Sequence, residues 1–389
     1  MFNLMRRIDL FLIRLAYWVL RPKNDAVVLG DVEVKNILVI KLWGLGNLIL
    51  ISPLIVKIRN KFPQARISFL TLEINRGFFE RSMVVDDVVY CRFTFNPYEI
   101  LKEAVYLISR FGKGKVDVIL NFETFNNMTA LVSYLIKAPV RIGLNNRDEG
   151  NFYTHPVNND KLKHISEVFS DLLMPLGIGE AYQYSCIKGD DSDKVRVASI
   201  LKMCHSDQLI VMHPGTSVNY VGKRFSKHSF SALADKFINK HNVTVLFTGT
   251  LQDRVMIEEI IGRMVYKTKV SNLAGLLTVG GLAELLMKSR VFVSNDTGPV
   301  HLAASVGANV AAIYGPTTPS RFGPLIPNSL VFYKGLSCSP CVGVDFLNKK
   351  CGNKFKCLDF SVEDIYTGIS MKFMCPVIEP YASVIGKQQ

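Results

Sequence analysis

The sequence has no long uninterrupted apolar run, although 49% of its 389 residues are hydrophobic. The mostly apolar N-terminal stretch, residues 4–20, is broken by three arginines and one aspartate, and no small-residue cleavage site follows it. A membrane-spanning helix needs about 20 consecutive apolar residues, and a signal peptide needs a cleavage site. We therefore predict neither, and we expect the folded domains to be cytoplasmic.

Acidic residues are also scarce, since 33 Asp and Glu stand against 46 Lys and Arg, for a net charge of +13. Such an excess favours polyanionic partners, which include nucleic acid, anionic membrane and phosphorylated substrates. The sequence lacks an RNA-binding signature, a zinc-finger histidine pair and a dense run of Lys and Arg. We therefore predict no nucleic-acid partner.

Basic and apolar side chains separate onto different faces of the predicted N-terminal segment, residues 1–30. Arg7, Arg14 and Arg21 lie seven residues apart, so on a helix they form one basic stripe beside apolar faces. This pattern is typical of a helix that lies in the lipid headgroup layer. A helix packed on the protein's own surface explains it equally well. The first alternative predicts peripheral contact with the inner face of the cytoplasmic membrane.

Short apolar runs alternate with helical periodicity along both halves of the chain. We predict strands at residues 36–42, 66–71, 116–121, 209–213, 243–248, 291–295 and 309–314. Strands that alternate with helices along the chain indicate parallel sheets with helices on both faces. The predicted fold class is therefore α/β, with two Rossmann-like, doubly wound domains.

A largely polar segment at residues 180–193 separates the two series of strands, and we place the domain linker there. The predicted divisions are an N-terminal domain at 31–185, a C-terminal domain at 186–369 and a tail at 370–389. Ligands of doubly wound sheets bind beyond the carboxyl ends of the strands. The loops that directly follow the predicted strands are therefore the candidate sites.

The strongest candidate site follows the predicted strand at 291–295. Asp296, Thr297 and Gly298 come directly after it, and Pro299 then opens a helix, where its missing N–H costs nothing. Free amides at a helix N-terminus form an anion site. A simple N-cap is the alternative, but a cap does not account for His301, which follows one turn into the helix.

Three segments resemble glycosyltransferase family 9, the lipopolysaccharide heptosyltransferase family. Residues 296–303 (DTGPVHLA) match its DTGP-x-H-L-A motif, and residues 314–317 (YGPT) match the turn that follows. Residues 213–225 (HPGTSVNYVGKRF) match its HPG-x-S…K-R-W segment, with Phe in place of Trp. The resemblance implies a GT-B fold, in which the two domains face each other across a cleft, and sugar transfer from a nucleotide-diphosphate donor to an acceptor hydroxyl.

The resemblance also implies a donor site in the C-terminal domain, with ADP-heptose as the implied donor. Its implied residues are Thr216, Ser217, Lys223, Asp296, Thr297, Gly298 and His301. In the family an acidic residue at the place of Asp253 binds the nucleoside, and a helix-capping role for Asp253 is the alternative.

The N-terminal half carries the acceptor side. Residues 41–53 (KLWGLGNLILISP) resemble the family's opening motif, R-x-x-x-x-G-D-x-x-x-x-x-P, in which Gly44 and Gly46 allow close backbone approach. The family's catalytic base is the Asp at the position of Asn47, and an amide cannot accept a proton near neutral pH. We therefore predict Glu123 as the general base, with Asn47 as a hydrogen-bonding residue. A helix cap is the alternative role for Glu123.

Four of the eight cysteines crowd into one loop with the spacing C-x2-C-x9-C-x5-C. Cys338, Cys341, Cys351 and Cys357 could close a tetrahedral structural zinc site. Disulfides and free thiols are the alternatives. We expect no cofactor in the reaction itself.

These expectations combine into one predicted reaction, an inverting and metal-independent sugar transfer. A base in the N-terminal domain activates the acceptor hydroxyl, and the C-terminal domain stabilises the leaving nucleoside diphosphate. The predicted partners are a nucleotide sugar and an acidic, lipopolysaccharide-like glycan or glycolipid. Two alternatives stay open: a catalytically silent nucleotide-sugar or glycan-binding protein, motivated by Asn47, and an enzyme like the nucleotide-sugar 2-epimerases, which needs no acceptor.

Overall fold

A computed structural model describes residues 17–20, 32–82, 84–92, 96–124, 128–145, 152–179, 181–204, 206, 208–341 and 351–374. The predicted N-terminal segment lies almost wholly outside these ranges, and its described residues 17–20 are helical and exposed. Of the predicted tail, the structure describes residues 370–374. None of the helices within the described ranges combines the length and the apolar character that crossing a membrane requires.

The first half of the chain forms a parallel six-stranded sheet. Its elements are β1 (Asn36–Ile40), α1 (Leu45–Lys61), β2 (Arg66–Leu72), α2 (Arg76–Ser82), β3 (Asp87–Cys91), α3 (Pro97–Phe111), β4 (Val118–Asn121), α4 (Met128–Ile136), β5 (Val140–Asn145), β6 (His155–Asn158) and α5 (Ile165–Asp171). The strand order is β3-β2-β1-β4-β5-β6. Since the order reverses between β1 and β4, the loops after these two strands border a crevice.

The second half repeats this architecture. Its elements are α6 (Asp191–Lys202), β7 (Leu209–His213), a 3₁₀ turn (Val218–Lys223), α7 (Lys227–His241), β8 (Thr244–Phe247), α8 (Arg254–Gly262), β9 (Val270–Asn272), α9 (Val279–Lys288), β10 (Val291–Asn295), α10 (Gly298–Ser305), β11 (Val310–Tyr314), α11 (Pro319–Phe322), β12 (Ser329–Tyr333) and α12 (Val362–Ile369). The strand order β12-β11-β10-β7-β8-β9 is the first order read in reverse. The second crevice therefore lies between β7 and β10.

Local sequence explains where these elements lie. The central strands are apolar along their length because helices cover both faces of the sheet, and all five residues of β10 are buried. Helix α3 begins where the Asn96 side chain accepts a hydrogen bond from the Tyr98 amide, with proline in the first turn. Helix α7 begins in the same way, since the Ser226 hydroxyl accepts from the Ser229 amide.

The two sheets are joined by an irregular segment, residues 181–190, within which the predicted domain boundary falls. Side chains also connect the domains directly. Arg321 donates to the Asp160 and Lys163 carbonyls at 2.7 and 3.0 Å, and His164 Nε2 lies 3.0 Å from the Gly323 carbonyl. Helices α1 and α10 pack against each other across the cleft. The crevices of the two sheets therefore face one another.

Candidate active site

The loop after β7, residues 214–217, forms one wall of the second crevice. Arg224 holds it in place by donating from Nε to the Thr216 hydroxyl and from Nη2 to the Thr216 carbonyl, both at 3.1 Å. The Thr216 hydroxyl in turn donates to the Tyr220 carbonyl at 3.1 Å. Thr216 therefore shapes the loop, whereas Ser217 is exposed and faces solvent.

Lys223 reaches the turn after β10. Its ammonium group lies 2.7 Å from Asp296 Oδ2, and the side chains are only 15% and 9% exposed. The Thr317 hydroxyl, which follows β11, donates to the same carboxylate oxygen. The structure thus brings together three strand-end loops and fixes one lysine at the mouth of the crevice.

Helix α10 begins beside this lysine without a capping hydrogen bond from its N-cap side chain. Its N-cap residue, Thr297, makes no side-chain capping hydrogen bond, and the first turn contains no acidic residue. Helix α1 of the other domain begins in the same way, at Gly44. The first amides of a helix have no acceptor within the helix, so both N-termini attract an anion.

The two helix N-termini touch through glycines. A Cβ atom built on Gly46 would lie 3.0 Å from Gly298 Cα and 3.1 Å from His301 Cδ2, and a Cβ on Gly298 would lie 2.8 Å from the Gly46 amide nitrogen. Gly44 adopts a φ of 91°, which only glycine tolerates easily. The two loops can approach this closely because Gly46 and Gly298 carry no side chains.

His301 is buried at the same point, and its Nδ1 lies 3.1 Å from the Tyr184 hydroxyl. Burial lowers its pKa to about 4; the charges of His164 and Lys223 lower it further, and that of Asp296 raises it. The ring is therefore neutral near pH 7. It can offer one N–H but carries no charge.

Glu123 is not a free carboxylate in the cleft. Its side chain and that of Lys41 are each 1% exposed and form an ion pair of 3.2 Å. The other carboxylate oxygen accepts from the Leu42 and Trp43 amides at 2.5 and 3.1 Å. Burial lowers the pKa of Lys41, and the Glu123 charge opposes this shift. Glu123 thus ties the loop after β1 to β4, while Asn47 is half-buried at the start of α1.

Asp253 closes the cap of the helical turn that leads into α8. Its Oδ2 accepts from the Thr250 amide at 2.9 Å and from the Thr250 hydroxyl at 2.7 Å, and its Oδ1 lies 3.5 Å from Arg224. The geometry shows the capping role. Nucleoside binding by Asp253 stays a prediction.

The four clustered cysteines do not fit a zinc site as they are placed. In the described ranges, which omit residues 342–350 of this loop, no group of three or more His, Cys, Asp or Glu side chains is arranged to hold an ion. Burial raises the pKa of Cys357, and the three neighbouring thiols add to that shift.

A groove of about 650 Å³ separates the end of this loop from the 3₁₀ turn that carries Lys223. Arg224, Lys354 and Lys356 line it together with Phe355 and one acidic residue, Asp359. Three cations against one carboxylate make the groove attractive to an anion.

Sequence reasoning missed two residues that organise the site, Arg224 and Thr317. Both lie inside the matched motifs, Arg224 after Lys223 and Thr317 at the end of YGPT. The matched motifs therefore already contained both residues, but the groups that Arg224 and Thr317 contact can be identified only from the structure.

Comparisons with known proteins agree with this architecture. The lipooligosaccharide heptosyltransferase 2 of Campylobacter jejuni is 22% identical over 306 residues, which cover 77% of this chain and 86% of that protein. The solved glycosyltransferase of family 9 from Veillonella parvula matches with a TM-score of 0.72 at 23% identity, covering 90% of this chain and 99% of that chain. The ADP-heptose lps heptosyltransferase II of Escherichia coli matches with a TM-score of 0.67 at 18% identity, covering 88% and 99%.

The structural matches confirm the predicted fold class, two doubly wound α/β domains in the GT-B arrangement. The family model described as glycosyltransferase family 9 (heptosyltransferase) matches residues 105–351, more than half of the chain. The matched range contains the loops after β7, β10 and β11. The chain therefore belongs to glycosyltransferase family 9.

Proposed function

We propose that this protein is an inverting, metal-independent glycosyltransferase that moves a heptose from ADP-heptose to a hydroxyl of a lipopolysaccharide-type acceptor. One observation carries the proposal: Lys223 and the bare N-terminus of α10 meet at the interdomain cleft, opposite the glycine loop at the start of α1. Such a convergence of positive charge and free amides suits a diphosphate.

The donor site supplies its chemistry through electrostatics. When the bond between the anomeric carbon and the donor phosphate breaks, the nucleoside diphosphate leaves with the electron pair and gains negative charge. Lys223, the Thr297 and Gly298 amides and the exposed Ser217 hydroxyl stabilise that charge. Asp296 holds Lys223 in position and is itself held by Thr317. Stabilisation of this kind needs no metal ion.

The relatives support the choice of donor and acceptor. The similar Escherichia coli protein is described as an ADP-heptose lps heptosyltransferase, and the similar Campylobacter jejuni protein as a lipooligosaccharide heptosyltransferase. The cationic groove beside Lys223 suits an acidic glycan. An acceptor of this type places the enzyme at the inner face of the cytoplasmic membrane.

Glu123 stays our prediction for the base that takes the acceptor proton, with one structural condition. Because both carboxylate oxygens already accept hydrogen bonds and the side chain is 1% exposed, the loop at residues 41–43 has to shift when the acceptor binds. In its present position Glu123 fixes the loop that leads to Gly44 and Gly46.

The test is an assay of ADP release from ADP-heptose with and without a heptose-deficient lipopolysaccharide, in buffer containing EDTA. We expect acceptor-dependent ADP release and a product whose anomeric configuration, read by NMR, is inverted relative to the donor. Binding without any ADP release would identify a silent binding protein instead. A changed donor sugar in the absence of acceptor would identify an epimerase-like enzyme, and loss of turnover in EDTA would refute metal independence.

A further inference from the structure

The segment that joins the two domains contacts the candidate donor site through a tyrosine. Tyr184, within residues 181–190, places its hydroxyl 3.1 Å from His301 Nδ1. The two ring centroids are 6.4 Å apart, with planes tilted by 32°. Residues 117 positions apart in the sequence thus share a hydrogen bond at the cleft.

The Tyr184 hydroxyl can donate its proton to Nδ1 of His301. Burial raises the pKa of the Tyr184 phenol to about 12, and a backbone hydrogen bond from Leu325 opposes this shift. The hydroxyl therefore stays protonated near pH 7, and its oxygen accepts from the Leu325 amide. His301 is neutral because burial lowers its pKa to about 4, and it therefore carries one N–H. When Nδ1 accepts the Tyr184 proton, that N–H is on Nε2.

The Nε2 side of the ring faces the other domain. On an imidazole ring Cδ2 adjoins Nε2, and His301 Cδ2 is the atom that a Cβ on Gly46 would approach to 3.1 Å. The same Cβ would lie 3.0 Å from Gly298 Cα. The N–H edge of His301 therefore lies beside the first amides of α10, where the diphosphate is proposed to bind.

We propose that Tyr184 is a positioning residue for sugar transfer: its hydroxyl fixes His301 as the Nε2–H tautomer, so that the ring donates a hydrogen bond to the departing nucleoside diphosphate. This inference rests on the proposed function. It makes the connecting segment a part of the donor site, because the contact holds only when residues 181–190 keep their place against α10.

The chemistry assigned to His301 involves no proton transfer. The acceptor oxygen bonds to the anomeric carbon while the bond from that carbon to the diphosphate oxygen breaks, and the diphosphate leaves with the electron pair. His301 Nε2–H stays a hydrogen-bond donor throughout. Because Nε2 already carries its proton, the acceptor's proton goes to another group, for which Glu123 is the proposed base.

The kinetic experiment compares Tyr184→Phe with Tyr182→Phe. The two rings are neighbours 5.5 Å apart, but the Tyr182 hydroxyl is buried and has no hydrogen-bond partner among the described residues, so its removal is a matched control. We expect Tyr184→Phe to lower kcat about 10-fold, the value of one hydrogen bond that is lost in the transition state. The dissociation constant for ADP should rise by a similar factor, because the same N–H donates to the diphosphate of ADP, and Tyr182→Phe should keep both values of the parent protein.

Two further measurements separate positioning from a merely structural role. In protein labelled with ¹⁵N-histidine, the His301 signal, assigned by its loss in His301→Gln, should show a protonated Nε2 and an unprotonated Nδ1. In the His301→Gln background, Tyr184→Phe should have no additional effect on kcat, because the group that it orients is gone.

A protonated Nδ1 in the parent protein would overturn the proposal, even if Tyr184→Phe fails to fold. Unchanged kcat in folded Tyr184→Phe, or multiplicative losses in the double variant, would also overturn it. If the parent protein releases no ADP from ADP-heptose, the proposed function fails, and the histidine spectrum still decides whether Tyr184 sets the tautomer.

Discussion

Replacing Lys223 with methionine keeps most of the side-chain length and removes the charge that is proposed to stabilise the leaving diphosphate. Two unit charges about 4 Å apart near a protein surface attract by about 4 kcal/mol, and removing one such donor commonly lowers kcat by about 100- to 1,000-fold. Because Lys223 is 15% exposed and shares its charge with Asp296, we expect the lower end, about 100-fold in kcat/KM.

The same change affects stability, because it leaves the Asp296 carboxylate with the Thr317 hydroxyl as its remaining side-chain partner among the residues that the structure describes. An under-satisfied buried group costs about 1–3 kcal/mol, so Tm should fall. The double variant Lys223→Met/Asp296→Asn should recover stability without recovering turnover. Lys227→Met is the control, since Lys227 forms an exposed ion pair with Glu259, and exposed pairs contribute little to stability. Wild-type ADP release by folded Lys223→Met would refute the proposed role of the lysine.

Three other changes test separate parts of the site. Glu123→Gln should lower turnover by about 100- to 10,000-fold, the contribution of a general base, and should lower Tm because it breaks a buried ion pair. Lys354→Glu combined with Lys356→Glu should raise KM for an anionic acceptor and leave ADP binding unchanged, because the charge of the groove is reversed. Burial lowers the pKa of His213 and His301 to about 4, below the unfolded value of about 6.5, so the unfolded state binds more protons and Tm should fall as pH drops from about 6.5 to about 4.

Each of these three predictions can be contradicted by a specific result. Folded Glu123→Gln with full turnover would remove Glu123 from the role of base. Equal losses of acceptor and ADP affinity in the double variant Lys354→Glu/Lys356→Glu would show that these lysines serve donor binding or the stability of the fold, and not acceptor binding. A Tm that stays constant between pH 6.5 and 4 in the single His213 and His301 variants and in the parent protein alike would contradict neutral buried histidines.

The sequence predicted those parts of the fold that continuous apolar runs encode. The predicted strand at 291–295 is β10 as observed, and the predicted strand at 66–71 differs from β2 by one residue. Five strands were missed: β3, β5, β6, β9 and β12. Four of them, all except β5, lie at the sheet edges, where one side of the backbone is unpaired. Polar residues also interrupt β5 (VRIGLN) and β6 (HPVN).

The meeting of Lys223 with the turn after β10 was also expected from the motifs, and the structure brings these residues together. The surroundings of Glu123 could not be expected. Its partners, Lys41 and the two amides that follow it, lie about 80 positions earlier. Local pattern shows which residue follows a strand, but only the pairing of β1 with β4 buries this carboxylate.

The repeated strand order gives the two halves of the molecule equivalent crevices, and their apposition has an electrostatic consequence. Helices α1 and α10 meet N-terminus to N-terminus at Gly46 and Gly298, and each helix end carries roughly half a positive charge. Neither first turn contains an acidic residue to offset this charge. The two partial charges therefore repel each other, and an anion bound beside both ends would offset this repulsion. A diphosphate donor would supply that anion, so donor binding and domain closure should stabilise each other, and release of the nucleoside diphosphate should favour opening.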